Sequence, residues 1–370
     1  MKKLIALILT LTLVLTLCAC GTSAEESPQT PAAPGEGAAP EGQPIVIVMG
    51  TLSMLNMTEE DYLAFVKARI RVNEQMVKES YAVLPEGAPE APQENAEFRV
   101  IYYDTLDALL MALNAGDVDA IDIYQSVARY LCAANDNLQM GISYNMNKER
   151  NTFAEVTLNG IGGNDFAFLM MEGNAALRDE FNTAIAAMKA DGTLDRLVKE
   201  QIDNLIDGGD IKSVEMPHFD GAETVKVAVT GALPPMDYVA ADGTPEGFNT
   251  AVLAEIGQRT GKNIEIVVVD SLGRAAALAS GAVDAVFWTR TSSKAQGSAS
   301  ATEAERQAYR AKMDSAMAEE EIKLMNEIRD TIDFKAYAGS DMPEGTIVTT
   351  PYFSDVLVRV KLAGGGPQGK

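Results

Sequence analysis

Histidine and cysteine are almost absent from this sequence, which contains one His and three Cys among 370 residues. The single histidine, His218, lies in the segment Met-Pro-His-Phe-Asp, whose proline is typical of a linker. So few potential ligands and bases leave no set of residues for a zinc site or a Ser-His-Asp triad. We therefore expect no catalytic residue, no metal site and no cofactor, and we interpret the protein as a non-enzyme.

Basic residues are also few. The chain has 30 Lys and Arg against 53 Asp and Glu, which gives a formal net charge of -23. A surface of this charge repels phosphate groups, so the composition argues against nucleic acid as a partner. Acidity otherwise favours solubility outside the cell.

The N-terminus has the pattern of an export signal. Two lysines precede an apolar run at residues 4–17, which is too short to span a bilayer stably. The run ends in Leu17-Cys18-Ala19-Cys20, which resembles the lipobox of bacterial lipoproteins. That resemblance implies cleavage before Cys20 and lipidation of its thiol, and two or more acyl chains would hold the protein at the extracytoplasmic face of the cell membrane. The alternative is an ordinary secretory signal with incidental cysteines.

The segment after the signal is rich in Pro, Ala, Gly, Glu and Ser and has no aromatic residue up to position 43. It cannot bury enough apolar surface to fold, so we interpret it as a flexible stalk. After loss of the signal, the folded domain keeps only Cys132, which excludes an intramolecular disulfide. We interpret Cys132 as a buried small apolar residue rather than a nucleophile.

One short pattern occurs twice, as Ala-Leu-Asn-Ala-Gly-Asp-Val-Asp-Ala at 112–120 and Ala-Leu-Ala-Ser-Gly-Ala-Val-Asp-Ala at 277–285. In both copies glycine follows a helical stretch, which it ends because glycine enters the left-handed region without strain. Val-Asp-Ala then begins a β-rich run. Each copy is therefore half of a βαβ unit, and two such units predict two similar α/β lobes. Paired lobes are typical of ligand capture.

Other segments give a coarse element order. The pattern predicts strands at 44–50, 98–103, 165–171, 225–230, 264–269, 346–350 and 355–360. It predicts helices from 58 toward 80 and at 105–114, 175–189, 194–205, 248–260 and 274–280. Residues 85–92 and 231–247 are predicted loops. The long charged segment 292–341 is either an amphipathic helix that covers a lobe or a helix that contacts a partner.

These segments resemble the family 3 solute-binding proteins of ABC importers, which have the type II periplasmic-binding fold. The similar segments are 232–248 with Pro234, Pro235 and Tyr238, the second repeat at 278–286, Thr-Pro-Tyr-Phe-Ser at 350–354, the stretch 108–131, and 165–202 with Phe181, Asn182, Lys189 and Asp-Gly-Thr-Leu at 191–194. Together they cover most of 44–205 and 224–362.

The order of these segments differs from that of the family, in which lobe 1 precedes lobe 2. We therefore predict a circular permutation, which is tolerated where chain termini lie close together at the surface. The alternative is a tandem array of two incomplete modules with uncovered strand edges. The predicted organisation is a signal peptide (1–19), a lipidated Cys20 with a disordered stalk (20–43), a lobe 2-like α/β part (44–165), a hinge strand with terminal helices that pack on lobe 1 (166–207), a linker (208–223), a lobe 1-like α/β part (224–362) with a helical insertion (292–341), and a flexible tail (363–370).

Ligands of open α/β sheets bind beyond the carboxyl ends of the strands. That rule selects Gly50, Thr51, Leu52 and Tyr124 in the first-placed lobe, and Pro235, Tyr238, Trp288, Thr289, Arg290 and Thr291 in the last-placed lobe. The family resemblance further implies that Tyr238 forms a wall of the ligand site. We therefore predict that these residues bind the ligand.

Three positions depart from the amino-acid binders of the family. Those proteins carry a Thr followed a few residues later by an Arg that holds the ligand carboxylate, whereas Thr291 is followed by Ser-Ser-Lys. Arg290 is then the remaining source of a bidentate fork, and Lys294 offers only a point charge. Tyr124 stands where the resemblance implies an acid for the ligand amino group, and Asn249 replaces the common Asp after Gly-Phe. These departures argue against a standard zwitterionic amino acid.

The combined expectation is a monomeric, membrane-tethered solute-binding protein. It would capture a small polar solute, amino-acid-like or related, between its lobes for an ABC permease. Two alternatives remain open. One is a sensor or adhesion lipoprotein that binds a protein partner through the segment 292–341. The other is an enzyme similar to cyclohexadienyl dehydratases, which needs an acid in the cleft, and the sequence offers no convincing one.

Overall fold

Runs of β-branched and other apolar residues form the strands of a large mixed sheet. The computed structural model describes residues 45–53, 59, 62–63, 66, 96–141, 163–210, 212–291 and 343–364, all within one compact unit. The signal and stalk, the predicted helix beyond residue 66, the loop at 85–92, the segment 292–341 and the end of the tail lie outside these ranges. No described helix is both long enough and apolar enough to cross a membrane.

The elements follow one another in chain order with these bounds. The strands are β1 (Ile45–Leu52), β2 (Ala96–Tyr103), β3 (Ala120–Tyr124), β4 (Leu138–Met140), β5 (Gly163–Met171), β6 (Thr224–Val229), β7 (Ala232–Leu233), β8 (Asp237–Val239), β9 (Pro245–Glu246), β10 (Asn263–Val268), β11 (Ala285–Thr291), β12 (Thr346–Val348) and β13 (Phe353–Leu362). The helices are α1 (Leu106–Ala115), α2 (Gln125–Ala134), α3 (Ala175–Ala190), α4 (Thr193–Leu197), α5 (Asn204–Ile206), α6 (Phe248–Thr260) and α7 (Arg274–Ala279). A 3-10 turn (Glu172–Asn174) precedes α3, and a π-helical turn (Val198–Asp203) joins α4 to α5.

The sheet is built from two sets of strands with the same order. Lobe A has the order β2-β1-β3-β13-β4, and lobe B has the order β10-β6-β11-β5-β12. In each lobe the first three strands are mutually parallel, and the fourth is antiparallel to its neighbours. The described strands therefore form two copies of one topology, as the repeat predicted.

In each lobe, the antiparallel strand comes from the part of the sequence that follows the strands of the other lobe. β5 follows the lobe A strands in sequence but pairs with β11 of lobe B, and β13 follows the lobe B strands but pairs with β3 of lobe A. β5 and β13 also pair with each other, with Phe166 opposite Phe353 and Asp165 opposite Ser354. These two strands therefore connect the lobes twice.

The repeated pattern makes the same contacts in both lobes. Gly116 and Gly281 have φ of 73° and 70°, which ends α1 and α7 in the left-handed conformation. The Asp119 carboxylate accepts a hydrogen bond from the Val48 amide at 2.8 Å, and the Asp284 carboxylate accepts one from the Lys226 amide at 2.8 Å. Each aspartate thus fixes the start of its strand against the first strand of its lobe.

We expect Asp119→Ala and Asp284→Ala each to lower the free energy of unfolding by about 1–3 kcal/mol, because a strand amide loses its charged acceptor. Asp119→Asn and Asp284→Asn keep an acceptor oxygen and should lose less. Urea unfolding of the four variants measures the difference. Alanine variants as stable as the unaltered protein would show that these aspartates do not hold the strands.

One hydrophobic core runs through both lobes, from Met49 of β1 through Phe166 of β5 to Ile256 of α6. α3 and α4 pack against α6, so the helices that follow β5 cover lobe B. Residues 231–247, predicted as a loop, contain the three-stranded sheet β7-β8-β9. Strands of two or three residues are too short to show an alternating apolar pattern, so they could not be predicted from the sequence.

Candidate functional site

The carboxyl ends of two pairs of parallel strands, one pair in each lobe, meet at a cavity between the lobes. Its walls come from residues at or just beyond the ends of β1, β2, β6 and β10. Lobe A contributes Leu52, Asp104, Thr105 and Leu106, and lobe B contributes Thr230, Ala232, Leu233, Asp270 and Ser271. This is where the fold class places a ligand.

The cleft is closed in this structure. Its cavity measures about 30 Å³, room for one or two water molecules and far less than a typical small-molecule pocket. The Ser271 hydroxyl of lobe B donates a hydrogen bond across the cleft to the Asp104 carbonyl oxygen of lobe A at 3.3 Å. In this form the cavity has no room for a solute of several non-hydrogen atoms.

Tyr124 and Thr289 lie where the corresponding strands of the two lobes end. Counted from the alanine after each repeated aspartate, they occupy equivalent positions in β3 and β11, and both are fully buried. Burial raises the pKa of Tyr124 well above its usual value, while the neighbouring Thr289 hydroxyl and Arg274 act to lower it. The two lobes thus meet through equivalent residues.

Asp237 anchors a buried polar chain beside this junction. Its carboxylate accepts hydrogen bonds from Thr230, from the Gly231 amide and from the Asn249 amide group at 2.7–2.8 Å. Asn249 in turn accepts a hydrogen bond from the Tyr352 hydroxyl at 2.7 Å. Burial raises the pKa of Asp237 against the opposing effect of these donors. An aspartate at 249 would set two carboxylates against each other, which explains the asparagine that departs from the family.

Aromatic rings fill the space behind the cleft. Phe166 of β5 lies 4.8 Å from the Tyr124 ring, 5.3 Å from Phe287 and 5.4 Å from Phe353, between ring centroids. Phe353 also packs on Phe248 at 5.0 Å. The cluster joins both lobes and both connecting strands at one buried point.

The predicted lobe A residues are brought to the edge of the cleft, but two of them face the interior. Thr51 is fully buried and donates a hydrogen bond to the Asp122 carbonyl oxygen at 3.0 Å. Gly50 faces α1, where a Cβ atom would lie 2.7 Å from Leu109 Cδ1. Leu52 lines the cavity. The contacts of Gly50 and Thr51 are those of strand and helix packing.

We expect Gly50→Ala to lower the free energy of unfolding by about 1–3 kcal/mol through overpacking against α1. The glycine at 173 provides a matched control, because a Cβ atom there would meet nothing within 4 Å. Thermal unfolding of Gly50→Ala and Gly173→Ala measures the difference. Equal stability of the two variants would contradict the close packing at Gly50.

The predicted lobe B residues divide into four groups. Pro235 is buried, and its carbonyl accepts the Phe248 amide at 3.1 Å, so it fixes the start of α6. The Tyr238 hydroxyl is buried and has no hydrogen-bond partner among the described residues, and burial, followed by the Glu246 carboxylate and Tyr130 of lobe A, raises its pKa to about 12. Trp288 and Thr289 are buried in β11. Arg290 and Thr291 pair through their backbones with Asp165 and Asn164, and their side chains lie outside the described part of the chain.

Arg274, which is not among the predicted residues, is 1% exposed at the start of α7. Its Nε donates a hydrogen bond to the Ser271 carbonyl oxygen at 3.1 Å, and its Nη1 donates one to the Phe287 carbonyl oxygen at 2.8 Å. The carboxyl-end rule, applied to β10 as well as to β11, would have selected it. Because Arg274 begins an Ala-rich helix, nothing in the local sequence marked it as a candidate site residue.

The described residues offer no cluster suited to bind a metal ion and no thiol in a reactive environment. No three His, Cys, Asp or Glu side chains come together there as a metal site would require. Cys132 is half-buried on α2, and burial raises the pKa of its thiol, which disfavours the reactive thiolate.

Comparison with protein-family models identifies one match. Residues 225–334 match the model of bacterial extracellular solute-binding proteins, family 3. The resemblance to family 3 is confirmed. The match begins in β6 and includes Asp237, Arg274, Trp288 and the second copy of the repeat. The two-lobed α/β fold predicted from this resemblance is confirmed as well.

Similar solved structures have low sequence identity to this chain. The GluR0 ligand-binding core from Nostoc punctiforme, in complex with L-glutamate, is 9% identical, with 87% of this chain and 86% of that chain covered and a TM-score of 0.32. NikA from Staphylococcus aureus, in complex with Ni(L-His)2, is 14% identical, with 77% and 62% covered and a TM-score of 0.34. The zinc-bound ligand-binding component of an ABC-type import system from Staphylococcus aureus is 8% identical, with 85% and 65% covered and a TM-score of 0.32. This chain thus spans less than two thirds of the two Staphylococcus aureus proteins. No curated protein matches the sequence.

Proposed function

We propose that this protein captures a small polar solute between lobes A and B and delivers it to an ABC permease. The observation that carries the proposal is the cleft itself. Two lobes of the same topology, connected by β5 and β13, place four strand ends around one cavity. The family 3 match over residues 225–334 supports solute binding as the role of this cleft.

Capture needs only that the solute bind the closed form better than the open form. The Ser271–Asp104 hydrogen bond supplies one contact that exists only when the cleft is closed. A solute that contacts both walls adds further contacts of this kind. Binding would then shift the lobes toward the closed arrangement that a permease could distinguish from the open one.

Two further parts of the proposal rest on the sequence. Cleavage before Cys20 and lipidation of its thiol would tether the domain at the outer face of the membrane, with residues 21–43 as the stalk. A circular permutation would account for the segment order, with residues 208–223 joining the former termini. The exchanged strands β5 and β13 are compatible with that order, since each follows one lobe and pairs in the other.

Thermal unfolding of the purified chain with a panel of amino acids, amines, small carboxylates, amides and sugars tests the proposal. A solute present at about 100 times its Kd should add about 2.7 kcal/mol to the free energy of unfolding and raise Tm measurably. No rise with any member of the panel would count against solute capture.

A variant with a blocked cleft gives the matched control. Ala232 lines the cavity, so Ala232→Trp should fill it and abolish the rise in Tm. Met111 is 72% exposed on α1, so Met111→Trp adds the same side chain away from the cavity and should keep the rise. Loss of the rise in both variants, or in neither, would place solute binding elsewhere.

A further inference from the structure

Thr230 belongs both to the cavity wall and to a buried hydrogen-bond chain. It follows β6 directly and lines the cavity. Its Oγ1 atom lies 2.8 Å from Asp237 Oδ1, and the Gly231 amide donates to the same oxygen at 2.7 Å. A backbone N–H can only donate, so Oδ1 acts as an acceptor. Thr230 therefore donates its hydroxyl proton to Asp237.

The chain continues from Asp237 to the strand that connects the lobes. The Asn249 amide group donates to Asp237 Oδ2 at 2.8 Å and accepts the Tyr352 hydroxyl at 2.7 Å. Asp237 and Asn249 are fully buried, and Tyr352, directly before β13, is 3% exposed. Both carboxylate oxygens of Asp237 are thus held by donors of the protein itself. A fully satisfied network of this kind fixes the orientation of its members.

The orientation of Thr230 determines what its hydroxyl can offer a solute. A threonine hydroxyl has one proton and two acceptor positions, and here Asp237 takes the proton. Only the acceptor positions of Thr230 then remain for a group in the cavity. Turning the proton toward the cavity would remove a donor from a buried carboxylate, which costs free energy. Thr230 therefore favours a solute that donates a hydrogen bond.

The rest of the cavity wall has the same polarity. The Ser271 hydroxyl donates its proton to the Asp104 carbonyl oxygen at 3.3 Å, so its oxygen also remains as an acceptor. Asp104 and Asp270 line the cavity from opposite lobes, and no described lining residue carries a positive charge. Two like charges around one small cavity repel each other, and a cation between them offsets that repulsion. The wall thus favours a donor group with a positive charge.

We propose that Asp237 sets the specificity of the cleft by holding Thr230 as a hydrogen-bond acceptor, and that the captured solute presents a cationic group with N–H donors, a primary ammonium or a guanidinium. This inference rests on the proposed function, since it names the class of solute that the cleft selects. In the complex, Thr230, Asp104 and Asp270 contact the cationic group. Asp237 is a positioning residue, because it acts on the solute only through Thr230. An ionised carboxylate cannot donate and is negatively charged, so this wall rejects it.

Thermal unfolding of the purified chain with matched sets of solutes tests this specificity. One set is ethanolamine, choline and glycolate, and the other is 1,4-diaminobutane, its hexamethyl derivative and succinate. Each set contains an amine, a quaternary cation without N–H donors and an acid. We expect at least one amine to raise Tm, its quaternary counterpart to raise Tm less, and the acid not to raise it. An acid or a quaternary cation that raises Tm as much as the amine of its set would overturn the inference.

Calorimetric titration of two Thr230 variants tests the acceptor itself. Thr230→Val keeps the shape of the side chain and removes the hydroxyl, so it should weaken binding of the amine by about 10-fold or more, the usual effect of losing a hydrogen bond to a charged group. Thr230→Ser keeps the hydroxyl and should bind the amine nearly as tightly as the unaltered protein. Binding of the quaternary cation should change little in either variant. Equal affinity of Thr230→Val and Thr230→Ser for the amine would contradict the acceptor role.

Two Asp237 variants separate positioning from stability. Asp237→Ala frees the Thr230 proton to turn toward the cavity, so the preference for the amine over the quaternary cation should fall several-fold. In Asp237→Asn the carboxamide oxygen can face the Gly231 N–H and still accept from Thr230. The nitrogen then faces Asn249, whose amide can turn round to accept it, so this variant should keep the preference. A purely structural role would lower Tm in both variants and leave the ratio of the two affinities unchanged.

The outcomes separate this inference from the proposed function. If a neutral or anionic solute of the wider panel binds while no amine does, solute capture stands and the proposed specificity is wrong. If no solute binds, both fail. Should Asp237→Ala not fold, Thr230→Val and Thr230→Ser decide the question, because both leave Asp237 with its donors from Gly231 and Asn249. An unchanged preference for the amine in Thr230→Val would overturn the inference.

Discussion

Phe166→Ala is expected to lower the free energy of unfolding by about 3–5 kcal/mol, which is the range for removing a fully buried aromatic ring. Phe166 is fully buried on β5, where that strand pairs with both β11 and β13. Its ring contacts Tyr124 of lobe A and Phe287 of lobe B at 4.8 and 5.3 Å. The cavity that alanine leaves would therefore weaken both lobes and their connection at once.

Urea unfolding measured by circular dichroism gives the size of this effect. Phe219→Ala is the matched control, because Phe219 is only half-buried in the segment between the lobes and should lose about 1 kcal/mol or less. If Phe166→Ala were no more costly than Phe219→Ala, the aromatic cluster would not be the point that joins the lobes.

Arg359→Met is expected to cost about 3–5 kcal/mol, because it leaves a fully buried carboxylate without its cation. Asp122 is 0% exposed on β3 and lies directly opposite Arg359 of β13. Arg359 Nε and Nη2 donate to the two carboxylate oxygens at 3.3 and 3.4 Å, and the Tyr62 hydroxyl donates at 2.6 Å. Burial acts to lower the pKa of Arg359, but Asp122 and Tyr62 outweigh it and the pKa is raised.

The loss in Arg359→Met should depend on pH and on the partner residue. Once Arg359 is removed, protonation of the Asp122 carboxylate eliminates the buried charge, so the loss should be smaller at pH 5 than at pH 8. Asp122→Asn combined with Arg359→Met removes both charges and keeps an acceptor for Tyr62, so the double variant should regain much of the stability. A double variant no more stable than Arg359→Met would contradict this account.

A surface arginine supplies the control for the second prediction. Arg196 pairs with Glu200 and Glu255 at 2.8 and 2.7 Å, but its side chain is 48% exposed. Arg196→Met should therefore cost no more than about 1 kcal/mol. The contrast with Arg359→Met isolates the effect of burial, because the two variants remove the same group.

Local chemistry was enough to predict most elements. The bounds of α6 follow from its apolar face and the glycine at 261, and α1 begins after Thr105, whose hydroxyl accepts the Ala108 amide at 3.2 Å. α2 was not predicted, because Tyr124 precedes it without a side-chain cap and no glycine ends it. Helix caps and glycine stops act over a few residues, so they can be recognised from the local sequence alone. A helix that lacks both, such as α2, is not predicted.

The sequence predicted candidate site residues but not the contacts that they make. The strand-end rule selected Tyr124, Trp288 and Thr289, all of which are buried, and Thr289 of lobe B lies beside Tyr124 of lobe A. It did not lead to Arg274, and it could not show that Asn249 is held between Asp237 and Tyr352. Those contacts join residues far apart in the chain, so no local sequence pattern predicts them.

The sequence by itself determined that this chain makes two similar α/β lobes, because the repeated glycine and aspartate act within one helix and the strand beside it. Only the tertiary structure decided how the lobes are joined. The pairing of β5 with β13, the aromatic cluster at Phe166 and the position of Arg274 depend on contacts between distant segments. Such contacts form only when the whole sheet is assembled, because each lobe includes a strand that follows the strands of the other lobe in the sequence.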